Sequence, residues 1–164
     1  MGWGRVGRTV KSSAVTVPGV TGAYAALDAV GTQFEIPMAI GAEGAVITQL
    51  NIVDRASGMS GLRAHFYAST ANIVNIADNA AWALPSGNDD SYLGFINVAN
   101  TDWVTAGITG TITAMMAQVT NQNIGIYNPS GNNRSIYCQL QAMNAMTFGG
   151  MNTSLRMWLV GLQD

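Results

Sequence analysis

The sequence predicts an all-β domain, a jelly-roll-like antiparallel β-sandwich preceded by an extended N-terminal arm. Three observations point there. No segment of ten or more residues keeps an apolar period of 3.6, so amphipathic helices are missing from the pattern. Short β-rich runs recur along the chain instead, several with strict apolar–polar alternation. Nineteen glycines against four prolines, with Asn, Asp and Ser clusters, supply the turns between them.

The expected strands are Ala14–Val17, Ala23–Val30, Phe34–Ile40, Ala45–Asp54, Leu62–Ala68, Tyr92–Val98, Ile108–Gln118, Ile124–Tyr127, Ser135–Met143 and Leu155–Leu162. In Leu62–Ala68 the apolar face is Leu62, Ala64, Phe66 and Ala68; Arg63, His65 and Tyr67 take the other face, which places His65 at the surface or an interface. In Ser135–Met143, Ile136, Cys138, Leu140 and Ala142 oppose Tyr137, Gln139 and Gln141. The last strand sets Leu155, Met157 and Leu159 against Arg156, Trp158 and Val160. One helical turn is expected around Asn75–Leu84, capped by Asp78. Two loops share Pro-Ser-Gly-Asn, at 85–88 and 129–132, which common turn chemistry explains without an internal repeat.

The length of 164 residues suits one domain, drawn as residues 14–164 behind an arm of residues 1–13. Charged residues are only 10% of the chain, against about 25% in ordinary soluble domains. A surface so poor in charge is expected to be covered by partners. Residues 1–11 carry three basic residues and no acid, +3; the rest carries four basic and nine acidic residues, −5, which together give the net −2. A basic, glycine-rich leader on an acidic body fits an arm reaching toward another molecule, and fits terminal fraying equally well.

The catalytic inventory is thin. His65, Cys138 and Lys11 are the sole residues of their types, so no zinc ligand set and no internal disulfide can be assembled. Gly2-Trp3-Gly4-Arg5-Val6-Gly7 spells G-x-G-x-x-G but has no room for a preceding strand. Gly58-Met59-Ser60-Gly61 is one residue short of a nucleophile elbow. Asn88-Asp89-Asp90-Ser91 offers oxygen ligands without calcium-loop spacing, and the sequons at Asn133 and Asn152 lack a secretion signal to give them meaning. Seven basic residues on an acidic body make no nucleic-acid stripe. Trp103–Val119 is uncharged, yet its threonines, glycines and Gln118 make it strand material rather than a membrane span. The leader lacks the apolar run of a signal peptide.

Several segments resemble the small jelly-roll decoration (cement) proteins of tailed-bacteriophage capsids. They are Ser13-Ala-Val-Thr-Val-Pro18 and Tyr24-Ala-Ala-Leu-Asp-Ala-Val-Gly31, then Leu62-Arg-Ala-His-Phe-Tyr67, Ile76-Ala-Asp-Asn-Ala-Ala-Trp-Ala-Leu84 and Ser91-Tyr-Leu-Gly-Phe-Ile96. The resemblance spans roughly residues 13–100 and consists of turns and strand starts, with no catalytic signature. It implies a homotrimer that binds the major capsid protein on the capsid exterior and ties neighbouring capsomers together. It further implies a virion protein made in the host cytoplasm, without enzymatic activity, cofactor, metal, membrane or direct nucleic-acid contact. The arm residues Trp3, Arg5, Arg8 and Lys11 become the expected capsid-binding site. Low charge agrees with a large subunit contact, and three arm contacts on one trimer would act multivalently.

Two other readings compete. A carbohydrate-binding jelly roll, such as a lectin-like head protrusion, would need Trp82, Trp103, Trp158 and the loop at Asn88–Asp90 to form a sugar platform. A cupin-type enzyme would share the architecture but needs several histidines where only His65 exists.

Overall fold

Alternation of apolar and polar residues is realised as thirteen strands among the described residues. They are β1 (Arg8–Lys11), β2 (Val15–Thr16), β3 (Ala23–Tyr24), β4 (Ala29–Pro37), β5 (Ala45–Asp54), β6 (Leu62–Tyr67), β7 (Tyr92–Val98), β8 (Trp103–Thr109), β9 (Ile112–Val119), β10 (Ile124–Ile126), β11 (Ser135–Ala142), β12 (Met146–Thr147) and β13 (Leu155–Gln163). The computed structural model describes residues 7–20, 22–38, 44–55, 61–68, 76–84, 91–109, 112–126, 135–148 and 155–163.

All pairings are antiparallel. A seven-stranded sheet runs β1-β13-β5-β9-β8, with β2 also on β13 and β10 also on β5; a four-stranded sheet runs β4-β11-β6-β7; β3 and β12 form a small ribbon.

Two of the short strands are continuations of their neighbours. β1 and β2 lie end to end along β13, interrupted at Ser12. There the Ser12 amide donates to the Leu159 carbonyl (3.0 Å) and its hydroxyl oxygen accepts from the Leu159 amide (2.9 Å), so the side chain carries the ladder across the gap. β9 and β10 likewise share one edge of β5, separated by Asn121 in the left-handed region (φ 60°). Beside that break β5 bulges: its register on β13 passes from Gln49–Val160 to Ile47–Gly161, leaving Thr48 over. The Thr48 carbonyl accepts from the Gln122 amide (3.1 Å) and its hydroxyl donates to the Val160 carbonyl (3.3 Å), which satisfies the extra residue.

Merged in this way, and with β8 counted apart as an extra edge strand on β9, the two sheets comprise eight ribbons in chain order: β1/β2, β4, β5, β6, β7, β9/β10, β11 and β13. Their order is 1-8-3-6 in one sheet, with β8 beyond the sixth ribbon, and 2-7-4-5 in the other. One core joins them, with Leu50, Ile52, Met157 and Leu159 from the first sheet and Ile36, Phe66, Cys138 and Leu140 from the second, all fully buried. The molecule is therefore an all-β sandwich.

Three expectations differ from what is seen. The basic segment from Arg8 to Lys11 is an edge strand, because Val10 finds the core and Thr9 and Lys11 pair along β13, so the sheet begins inside the stretch drawn as an arm. Residues 76–84 contain a turn at Asp78–Asn79 and a bridge between Ala81 and Asp28, not a helical turn. Asp78 spends its carboxylate on groups distant in sequence, which leaves no cap for a helix. Finally, the uncharged run at 103–119 is a hairpin of β8 and β9, where one strand starting at Ile108 was expected.

Candidate functional site

Segment 76–84 crosses the outer face of the four-stranded sheet as a strap. The strap meets the Tyr24–Gly31 segment in a dense set of backbone bonds: Ala29 amide to Ala80 carbonyl (2.8 Å), Asn79 amide to Ala29 carbonyl (2.9 Å) and Trp82 amide to Leu27 carbonyl (2.8 Å). Asp78 Oδ1 accepts from the Tyr24 hydroxyl (2.7 Å) and from the Gly31 amide (2.6 Å). Asp28 Oδ2 accepts from the Ala25 amide (2.7 Å), and the hydrogen-bond network assigns the Asn79 amide nitrogen as a donor to Asp28 Oδ2 and the Ala23 carbonyl. The acidic and amide residues of both segments are thus ties between loops. Replacing Asp78 with Ala strips two charge-assisted bonds and should lower stability by about 2 kcal/mol. Urea denaturation checks this; Asp78→Asn, which keeps an acceptor oxygen, should lose less.

Beneath the strap lies a buried polar row. His65, Gln139 and Gln141 alternate away from the core, yet they are 1%, 1% and 3% exposed because the strap covers them. The Gln139 side-chain amide donates to the Ile76 carbonyl (2.7 Å). The His65 ring stacks on the Trp82 indole at 3.6 Å between centroids and 16° between planes. Its Nε2 faces Gln141 Oε1 (3.2 Å) and its Nδ1 faces the Tyr92 hydroxyl (3.0 Å). Gln141 turns its nitrogen toward the Leu27 carbonyl (3.5 Å), so its oxygen is the atom presented to His65. That assigns the proton to Nε2 and leaves Nδ1 to accept from Tyr92. Burial is the main cause that lowers the His65 pKa to about 4; the Gln141 bond opposes it and the Arg63 charge adds to it. Burial likewise raises the Tyr67 and Tyr92 hydroxyls and the Cys138 thiol. His65 was expected at the surface or an interface and instead sits under the strap, both nitrogens engaged, with no position open to a substrate. The sequence could not reveal this, because alternation along β6 does not say that the connection from β6 to β7 folds back over its outer face.

On the opposite side of the molecule, among the described residues no strap crosses the outer face of the seven-stranded sheet, the open face, although Asn51 within it is 2% exposed. The exposed Val46 and Leu162 are register partners there, and Val104 stands across from Met116. Lys11 places its ammonium 5.6 Å from the Trp158 ring centroid, a cation–π contact. Next to Trp158, Asn51 Oδ1 accepts from the side-chain amides of Gln49 (2.7 Å) and Gln118 (3.2 Å).

Of the expected capsid-binding residues, Trp3 and Arg5 lie outside the described residues. Arg8 and Lys11 are exposed on β1, at the border of this open face. The Asn88–Asp90 loop also lies outside the described residues. The three tryptophans of the sugar platform are apart: Trp103 is buried in the core, Trp158 is on the open face, and Trp82 is on His65. Among the described residues no three His, Cys, Asp or Glu side chains gather to hold a metal ion, and no helix is long and apolar enough to cross a membrane.

Comparison with protein-family models, with curated proteins and with solved structures finds no match to this chain.

Proposed function

We propose that the chain is a structural, non-enzymatic subunit: a jelly roll that assembles as a homotrimer on the outside of a tailed-phage capsid and cements neighbouring capsomers. The observation that carries this reading is the strand order: with β8 set apart as an extra edge strand on β9, 1-8-3-6 against 2-7-4-5 is the order expected of a jelly roll built from two Greek keys. Supporting it, the segments that resemble decoration proteins, Tyr24–Gly31 and Ile76–Leu84, serve as mutual ties, as turn motifs without reactive groups should. A chain with 10% charged residues and an open apolar sheet face suits a subunit that is covered in its working state.

The arm is tested by deletion at residue 6, because removing Arg8–Lys11 would strip an edge strand from β13. The truncated protein should keep the wild-type melting curve and solution mass while binding undecorated shells of the encoding virus about tenfold more weakly or worse. Undiminished shell binding would remove Trp3 and Arg5 from the mechanism. A wild-type protein that remains a monomer of 17.2 kDa at every concentration would overturn the trimeric reading itself.

A further inference from the structure

We infer that three copies of this chain meet on a three-fold axis through the turn at residues 25–28 and the strap beside it, with Leu27 as the side chain that seats in the neighbouring copy. The inference rests on the homotrimer reading above and names the surface that closes it.

Leu27 is out of place on two counts. It is 53% exposed, and its backbone is in the left-handed region (φ 72°). The Asp28 amide donates to the Ala25 carbonyl (3.3 Å), which makes Leu27 the third residue of a four-residue turn. A positive φ at that place is ordinarily supplied by Gly or Asn. A leucine is strained there, and more than half of its surface stays in water.

The strained turn is also fixed. The Leu27 amide donates to the Ala142 carbonyl (2.8 Å), the Leu27 carbonyl accepts from the Trp82 amide (2.8 Å), and the Ala142 amide donates to the Asp28 carbonyl (2.8 Å). Strain of this kind persists only where the surroundings determine the backbone, and it concentrates at functional positions. These bonds hold the turn in its contact conformation before a partner arrives, so little backbone entropy is lost on association.

The surface around Leu27 fits its own copy. The Trp82 bond and the Asp28–Ala81 bridge set the strap alongside the turn, and Ala25, Ala26, Leu27, Ala81, Ala83 and Leu84 are all exposed there. Two large apolar side chains thus stand among four small ones. Projections and recesses lie on one patch, as a self-complementary contact requires. Residues 24–31 and 76–84 contain no Lys or Arg. Their two acids are half-buried and turned onto their own loops, Asp28 Oδ2 on the Ala25 amide and Asp78 Oδ1 on the Gly31 amide and the Tyr24 hydroxyl. A three-fold axis then needs no second surface. Around it each copy offers the same patch to both neighbours, and the ring closes at three members.

The test uses the full chain and three single variants in sedimentation equilibrium: Leu27→Asn, Leu84→Asn and, as a control on the other sheet, Val104→Asn. Val104 is 57% exposed, so the control replaces a comparably exposed apolar side chain outside the patch. Asn tolerates the left-handed region, so Leu27→Asn should unfold in urea at the same midpoint as wild type or a higher one, at a dilution where both are monomers. The same substitution should raise the concentration at which the trimer half-dissociates by about tenfold or more, and Leu84→Asn should raise it too. A side chain that served only the fold would move the urea midpoint and leave the association alone. Wild-type association by Leu27→Asn, or an equal loss in Val104→Asn, overturns the assignment of the patch while the homotrimer reading stands. A wild type that is a dimer, or a monomer of 17.2 kDa at every concentration, overturns the homotrimer reading and this inference with it.

Discussion

Among the described glycines, Gly31→Ala should be the most damaging replacement. A Cβ at Gly31 would stand 2.3 Å from the Pro18 carbonyl oxygen and 3.1 Å from a methyl of Val17. The carbonyl cannot swing aside cheaply, since it accepts from the Thr32 amide at 2.9 Å and caps the Pro18–Gly19 turn. The backbone of Gly31 is itself in the left-handed region (φ 70°), which strains any residue with a Cβ. Its amide is fixed by Asp78, so relaxation on that side breaks the tie to the strap. Left-handed strain costs about 1–2 kcal/mol and overpacking about 1–3 kcal/mol, so the variant should lose about 2–5 kcal/mol, a large share of a typical domain's stability. Urea denaturation of the purified variant against wild type measures it. A loss below about 1 kcal/mol would mean that the Pro18 turn is free to move, and the Tyr24–Gly31 segment would then not be the rigid tie described above.

The same residues mark what the sequence could and could not disclose. Period-two alternation exposed the strands, and in β13 the alternation is reproduced residue by residue, Leu155, Met157 and Leu159 inward and Arg156, Trp158 and Val160 outward. Alternation does not say what covers the outer face. Gln139 and Gln141 have the pattern of solvent-facing residues and are buried, because a strap from elsewhere in the chain lies over them. Asp78 next to a short Ala-rich run has the local signature of a helix cap, but Tyr24 and Gly31 outbid the helix with tertiary bonds. Arg8–Lys11 is too short and too charged to announce itself as a strand; its place is set by the free edge of β13 and by one buried valine. The strand order itself is a non-local property, absent from any window of sequence. The chain's poverty in charge was legible from the start.

Acid should destabilise the protein through one residue, and the slope should disappear when that residue is replaced. His65 is neutral in the folded chain, with a pKa of about 4 against 6.5 for an unburied imidazole. Above pH 6.5 neither folded nor unfolded chain holds the proton, and the stability is complete. As the pH falls below 6.5 the unfolded chain takes up a proton that the folded chain refuses, so stability drops by about 1.4 kcal/mol per pH unit until about pH 4. The total is about 3 kcal/mol. The geometry explains the refusal: a second proton on Nδ1 would meet the hydroxyl hydrogen that Tyr92 now donates, under an indole that excludes water, with the Arg63 guanidinium adding like charge. The chain has a single histidine, so between pH 6.5 and 5, above the ordinary carboxylate range, the slope belongs to His65. Denaturation midpoints measured at half-unit steps from pH 7.5 to 5 should fall steadily in the wild type. In His65→Phe, which keeps an aromatic ring under Trp82, they should stay level whatever the variant's absolute stability. A wild-type curve flat across that range would mean that His65 is protonated in the fold or reached by water, and the strap would then be open.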